Sequence, residues 1–443
     1  MADTYAELHC HSGFSFLDGA SHPDELAERA AELGLHALAL TDHDNLCGAL
    51  VFAHVARSVG LQPITGCELT VEDRGERLHL TLLVEDGTGY GNLCELLTAA
   101  HAGTRAPNGG PLLAEPAVAL DAVLERADGL VCLSGCATQG ALAVPLVRRD
   151  RALAEARAGR LREAFGARLW VELSRPFLRG DRARVRALVE LARRRELPLV
   201  ATNDVHVHAR RRGPLQDALV AIRTHATLDA CEAARRGNRE HVLKAPAEMT
   251  ELFADLPQAL RATVEIAERC TFDLTRDLGY RPPQTAAEPD RALAELCRTR
   301  FAERYPGTSP HGRGRGSSVG SIVCYLTGLS HVDPVSAQLS LGRFLNQELA
   351  SVPDIDLDFP RDIRAGLILQ VHERYGDRHA ALVGALATYR ARGAIRELGK
   401  VLGLPAADIA RLATASDDRA TRSISPGGNP SALPSSRIAP RAR

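Results

Sequence analysis

Short apolar runs recur along the first two hundred residues, and each stops at a polar side chain able to bind a metal. His9 and His11, just after Leu8, share one face of a strand because alternate residues do. The run at 37–41 stops at Asp42 and His43, the run at 63–67 at Glu68, and the run at 130–134 leads to Cys136. The run at 199–202 leads into Asp204 and His206, and 79–84, which begins with His79, reads as one more strand. Between them stand segments of helical period at 23–35, 46–59, 90–100 and 184–195, with Ser21 a cap for the first and Gly34 and Gly60 as stops. Strand and helix in alternation predict a parallel sheet, and about seven such units predict a barrel. A barrel of that kind gathers its functional groups at the carboxyl ends of its strands.

The pattern changes after residue 210. Residues 211–305 predict a polar helical region, with short helices at 248–252 and 260–269 punctuated by Pro246 and Pro257. An abrupt Gly/Pro-rich passage follows at 306–316. Beyond it the chain predicts a helix at 318–329, a strand at 351–359 and amphipathic helices at 361–375 and 390–402. The Ser/Pro/Gly-rich end, 421–443, has too little apolar content to fold and is expected to be disordered.

Composition narrows the class. A chain of 443 residues has room for two or more domains, and a net charge of -1 gives no global drive toward nucleic acid or membrane. The stretch from Arg361 onward is nevertheless basic, and its cations are almost all arginine; Lys244 and Lys400 are the only lysines. Ten cysteines without a CxxC pair exclude a disulfide framework or a zinc finger, so a reducing cytoplasm is expected. The start lacks a basic-plus-apolar signal, and no run is long enough to span a membrane.

The candidate ligand set is His9, His11, Asp18, His43, Glu68, His79, Cys136, Asp204 and His206. Imidazoles with carboxylates suit zinc, manganese or iron, and the thiol leans toward zinc. Nine ligands exceed the need of one ion, so two or three ions sharing carboxylates is the natural reading. Plainer roles exist one by one: His79 on an edge strand, Cys136 in the core, Asp18 in a turn before Gly19. They do not account for all nine together.

A second constellation lies downstream. Gly314-Arg-Gly-Ser-Ser318 opens a helix, where flexible backbone and free N–H groups suit an anion. Asp354, Asp356 and Asp358 alternate along a strand and so share a face. Three carboxylates in a row repel one another unless divalent cations sit among them.

His9-Cys-His-Ser12 with Leu17-Asp-Gly-Ala20, Thr41-Asp-His43 and Ala201-Thr-Asn-Asp-Val-His206 resemble the polymerase-and-histidinol-phosphatase (PHP) domain, as it stands at the head of bacterial C-family DNA polymerases. The Gly-Ser turn, helix and Pro353-Asp-Ile-Asp-Leu-Asp-Phe359 resemble the palm of those enzymes, the replicative alpha subunits and their error-prone relatives. The resemblance covers residues 4 to about 415. It implies an α/β chain: a distorted (βα)7 PHP barrel over 1–210, a helical connecting region over 211–305 and a partial polymerase-beta-like palm over 306–420. It implies a trinuclear Zn²⁺ or Mn²⁺ centre on the nine ligands, active in some members as a 3′–5′ exonuclease. In the palm it implies Mg²⁺ on Asp356 and Asp358, with Asp354 a lesser member. Gly316 and Ser317 would hold the triphosphate, near a basic stretch with Arg390, Arg392 and Arg396. The implied partners are primer–template DNA, dNTPs, a sliding clamp and other replisome or mutasome subunits.

The sequence departs from that family in two places. The third palm carboxylate, the fingers, the clamp-binding segment and the oligonucleotide-binding fold lie beyond the point where the pattern stops, as in a truncated reading frame. The stretch at 305–312 is also short, where members usually enter the palm through a helix. The expectation is a chain of polymerase descent that does not itself polymerise. Two other classes compete: a free-standing phosphatase of a small ester such as histidinol phosphate, which needs no Gly-Ser turn or Asp row, and a non-catalytic DNA-binding fragment stabilised by metals.

Overall fold

The apolar runs of the first two hundred residues are strands of one curled sheet: β1 (Ala6–Glu7), β2 (Ala37–Leu40), β3 (Gln62–Asp73), β4 (Glu76–Val84), β5 (Val118–Ala119), β6 (Leu130–Leu133), β7 (Leu169–Leu173) and β8 (Leu199–Ala201). Their order is β1-β2-β3-β4-β6-β7-β8, with β5 at the side of β3. The sheet then curls back on itself. Cys10 bridges Val205 in parallel, through His11 N–H to the Val205 carbonyl at 2.7 Å and Val205 N–H to the His9 carbonyl at 2.9 Å.

This computed structural model describes residues 4–104, 113–279, positions 291, 295 and 299, 313–314, 320–339 apart from 335, 357–359, 361–376, 380 and 388–422. The chain divides into two compact units, residues 1–279 with 388–443, and residues 280–387.

The sheet is not wholly parallel, which corrects the reading from strand–helix alternation. β4 runs antiparallel to both β3 and β6. The cause is local: Arg74 (φ 54°) and Gly75 (φ 77°) form a two-residue reversal with both residues left-handed, the geometry that matches the twist of a tight hairpin. The reversal places the start of β4, not its end, beside the carboxyl ends of the parallel strands.

Helices α1 (Pro23–Glu32), α2 (Ala49–Ser58), α3 (Gly87–His101), α4 (Leu120–Glu125), α5 (Ala143–Val147), α6 (Arg151–Phe165) and α7 (Asp181–Arg195) connect the strands. The outward residues of the strands, among them Leu38, Leu40, Leu69, Leu80, Leu82 and Val171, pack with Leu26, Phe52, Leu96 and Leu161 of the helices in the main core. Ser21 does not cap α1 as expected; its hydroxyl instead meets His208 Nδ1 at 2.9 Å and accepts from the His208 N–H.

The inward residues form layers. At one end Ala37, Ala39, Ile64, Leu83, Val131, Leu133, Trp170 and Val200 cluster with Ala262, Ile266, Ala267 and Cys270. The last four belong to or follow α10 (Pro257–Arg269), which plugs that end beside β1 and β8. Further along the same strand faces, the parity of two brings Thr41, Thr81, Glu172 and Thr202, all buried. At the other mouth the same parity delivers Glu68, His79 and Asp204. An apolar plug, a threonine-rich middle and an ionisable rim thus follow from one alternation.

Two more helices, α8 (Gly213–Arg223) and α9 (Pro246–Leu252), belong to the same unit. The helix Ala391–Val401 packs Val401 and Leu398 against Ala218, Ala221 and Cys231 in a small separate core. In the second unit Leu357–Asp358 pairs antiparallel with Arg313–Gly314, and Ile322–Thr327 is helical, with the Ser321 hydroxyl accepting from Cys324 N–H. Residues 361–375 form the expected helix. Among the described residues no helix is long and apolar enough to cross a membrane.

Candidate metal centre

All nine residues of the candidate ligand set lie in one connected network at the rim end of the barrel. His9 and His11 face each other with their Nε2 atoms 3.0 Å apart. Glu68 lies beside them, Oε1 3.4 Å from His9 Nε2 and 3.1 Å from His79 Nδ1, with Oε2 3.0 Å from His43 Nδ1. Cys136 Sγ is 3.5 Å from His79 Nδ1. On the other side Asp204 Oδ1 is 3.6 Å from His11 Nε2 and 3.5 Å from His206 Nδ1, and His206 Nε2 is 3.1 Å from Asp18 Oδ2. Three groups have ligand atoms close enough for one ion: His9, His11 and Asp204; His43, Glu68 and His79; Asp204, His206 and His241.

Local chain geometry fixes these side chains. Asp204 sits at φ 48°, a left-handed position that aspartate tolerates, between the end of β8 and the Val205 bridge. Gly135 has φ 90°, and a Cβ there would lie 2.0 Å from the His79 carbonyl oxygen; glycine lets Cys136 approach His79. A Cβ on Gly19 would lie 1.9 Å from the Ser12 carbonyl oxygen, so the loop that presents Asp18 closes only on glycine.

The second row of partners sets tautomers. His9 Nδ1–H donates to Glu172 Oε1 at 2.6 Å, which directs the His9 Nε2 lone pair into the centre. Glu172 is held in turn by the Thr202 hydroxyl at 2.6 Å. Ser15 Oγ donates to Asp42 at 2.8 Å and accepts from His11 Nδ1–H at 2.9 Å, which turns His11 the same way. Two imidazole acceptors that face each other at 3.0 Å need a cation or a proton between them.

The electrostatics agree with that need. Burial pushes the Glu68 carboxyl up, but His79, His43 and His9 outweigh it and hold it well below the usual range. Burial pushes Asp204 up too, and His206, Arg236 and His241 bring it well below. His9 is pulled down by burial and raised above its ordinary value by Glu172 and Glu68. Burial, with Glu68 and Asp204, pushes the Cys136 thiol well up. A divalent cation reverses that, because a coordinated thiol loses its proton. Glu68 Oε1 is a buried oxygen that lies 3.1 Å from His79 Nδ1 and 3.4 Å from His9 Nε2 without a well-aligned hydrogen bond to either. The donor set, its facing lone pairs and this oxygen therefore fit divalent ions.

Three members of the site lay outside the candidate set. Glu172 carried a signal, a lone carboxylate in the apolar strand Leu169–Leu173 at inward parity. His241, whose Nδ1 is 2.9 Å from the Asp204 carbonyl, and Arg236, which pairs with Asp18 at 2.8 Å, come from a loop without periodicity. Replacing Glu172 by Gln is expected to weaken metal binding by about 10–100-fold while keeping all nine ligands, as a metal-competition titration would measure.

The palm candidates are only partly within the described residues. Gly316, Ser317, Asp354 and Asp356 lie outside them. Asp358 is on the strand that pairs with Arg313–Gly314. Arg390 precedes the helix Ala391–Val401, which carries Arg392 and Arg396, and all three are exposed.

Comparison with known proteins fixes the lineage. The PHP domain family matches residues 7–176, and the bacterial DNA polymerase III alpha NTPase domain matches residues 302–431. The chain thus carries a PHP-domain match and a DNA polymerase III alpha NTPase-domain match, and along 93% of its length it is similar to proteins named error-prone DNA polymerase. It is 37% identical over 459 residues to an error-prone DNA polymerase of Symbiobacterium thermophilum, covering 93% of this chain and 42% of that one. A relative of the same name from Anaeromyxobacter dehalogenans is 33% identical over 533 residues, covering 93% of this chain and 46% of that one. The chain spans less than half the length of these relatives. The Anaeromyxobacter alignment is longer than the 443 residues here, so that relative carries residues this chain lacks within the matched span. Among solved structures, an amidohydrolase of Chromobacterium violaceum with bound sulfate and no metal overlaps 46% of this chain and 88% of that one, at TM-score 0.32 and 18% identity.

Proposed function

We propose that the rim of the barrel is a phosphodiesterase centre that holds two or three Zn²⁺ or Mn²⁺ ions and removes nucleotides from the 3′ end of a DNA strand. The observation that carries this is the pair of Nε2 atoms, 3.0 Å apart, beside the buried Glu68 oxygen. His9, His11, His43, Glu68, His79, Cys136, Asp18, Asp204 and His206 would hold the ions. Ions held there would activate water and stabilise the leaving oxygen. Glu172 and Ser15 keep His9 and His11 oriented. His43, the most open of these imidazoles with 37% of its side chain exposed, marks the side from which a strand end enters. DNA as substrate rests on similarity to relatives named error-prone DNA polymerase.

For the second unit we infer a palm of polymerase descent in which Asp356 and Asp358 would hold Mg²⁺ and Gly316 and Ser317 a triphosphate, in a chain not expected to extend a primer itself; Arg390, Arg392 and Arg396, which the resemblance implies near nucleotide and template, belong to the first unit. The pairing of Leu357–Asp358 with Arg313–Gly314 supports this, since it sets Asp358 on a strand beside the one that holds Gly314. A 5′-labelled primer on a template, with Mn²⁺ and all four dNTPs, tests both readings. Shortening that His9→Ala abolishes is the expected result for the barrel; an unchanged primer contradicts it. No extension is the expected result for the second unit; extension that Asp356→Ala abolishes would contradict it.

A further inference from the structure

Arg236 stands among ligands. Its guanidinium pairs with Asp18 Oδ2 at 2.8 Å and with Asp204 Oδ2 at 3.6 Å, and touches His206 Nε2. Asp18 and His206 belong to the candidate metal set, and Asp204 joins them to the His9–His11 pair. The arginine is delivered by the loop before His241, so it reaches the centre from outside the barrel strands. Its Nε is buried without a hydrogen-bond partner, so its place is fixed by the two carboxylates rather than by a packed hydrogen-bond cage. Among the described residues, no arginine or lysine pairs with the other half of the centre, around His43, Glu68 and His79. Carboxylates that already share a guanidinium lose that pairing when a metal takes their oxygens, and a buried guanidinium left without its anions is costly. An arginine and a divalent ion therefore compete for the same two carboxylates.

We propose that Arg236 serves as the third cation of this centre, so that the chain loads two tightly held ions and takes a third only when Arg236 is displaced. This rests on the metal-centre reading above and makes it specific. One ion belongs with His9, His11 and Asp204, the other with His43, Glu68 and His79. With two ions bound, Asp18 and His206 are partners of arginine, and they become ligands only when the third ion displaces it. A guanidinium at that position keeps a fixed positive charge and planar donors at the mouth, where an anionic phosphate oxygen arrives.

The test is metal content and Mn²⁺ titration of the full chain, which do not depend on activity. Wild type is expected to retain two ions per chain after exhaustive desalting. Arg236→Ala is expected to retain three, with a third Mn²⁺ bound at least about 10-fold more tightly than in wild type. Arg236→Lys, which keeps the charge at similar length, is expected to return the count to two and guards against a folding defect in the alanine variant. Three tightly held ions in wild type would overturn the inference and leave the phosphodiesterase reading standing. Equal counts in wild type and Arg236→Ala would overturn it as well. No bound ion in any of the three proteins would remove the metal-centre reading itself.

Discussion

Stripping the bound ions from the full chain is expected to lower its melting temperature by about 10 °C. An ion present at a thousand times its dissociation constant stabilises the folded state by about 4 kcal/mol. In a unit of this size each kcal/mol moves the transition by roughly 2–4 °C. The structure gives a reason for an effect of that scale. Asp18, Glu68 and Asp204 are gathered within one network whose cationic partners, Arg223 and Arg236 apart, are histidines. Without metal those histidines must take up protons to offset the carboxylates, against the cost of burial. Calorimetry of metal-loaded and chelator-treated protein, with ion content measured on both, checks this. A shift below about 2 °C after complete removal would mean that packing alone holds the rim together.

The second large effect lies outside the ligand set. Replacing Arg157 by Leu is expected to cost about 3–5 kcal/mol. Arg157 is among the largest fully buried side chains, and it donates from Nε to Asp73 and from NH2 to Glu76, each at 2.8 Å. Those two acids flank the Arg74-Gly75 reversal, so α6 grips both arms of the hairpin that turns β4 around. Leucine fills part of the volume but leaves Asp73 buried with Arg160 as its remaining paired arginine. Urea unfolding of wild type and Arg157→Leu measures the loss. In the double variant with Asp73→Asn the combined cost should fall below the sum of the single ones, because the two groups act on each other. Additivity would mean that the pair is incidental.

Much of this site was legible in the chain because strand parity is a strong rule. Once 37–41, 63–67 and 199–202 are read as strands, the residues at their ends must meet, whatever the helices do between them. His79 was legible for a less direct reason. It begins its strand rather than ending it, and it reaches the rim only because the hairpin at Arg74-Gly75 reverses β4, which strand–helix alternation alone does not predict. Glu172 obeys the same parity and was readable in principle, though a carboxylate in mid-strand looks like an edge residue until its neighbours are known. Arg236 and His241 could not be read. Each is placed by a loop whose course depends on the Val207–Val242 bridge and on the Asn203 side chain holding the carbonyls of Glu240 and Val242 at 2.8 and 2.7 Å. Contacts of that kind leave no periodicity. The palm motifs are a different case. Their residue types and order are explicit in the sequence, and the structure adds to them the pairing of Leu357–Asp358 with Arg313–Gly314.

X-ray absorption at the metal edge of the purified full chain tests the central claim most directly. The account predicts a first shell dominated by nitrogen and oxygen at about 2.0–2.2 Å with a minor sulfur contribution near 2.3 Å that Cys136→Ser removes. It also predicts a metal–metal vector at about 3.5–4 Å that is lost in Glu68→Ala. A shell without a second metal, or one unchanged by both substitutions, would contradict a polynuclear centre on these nine residues.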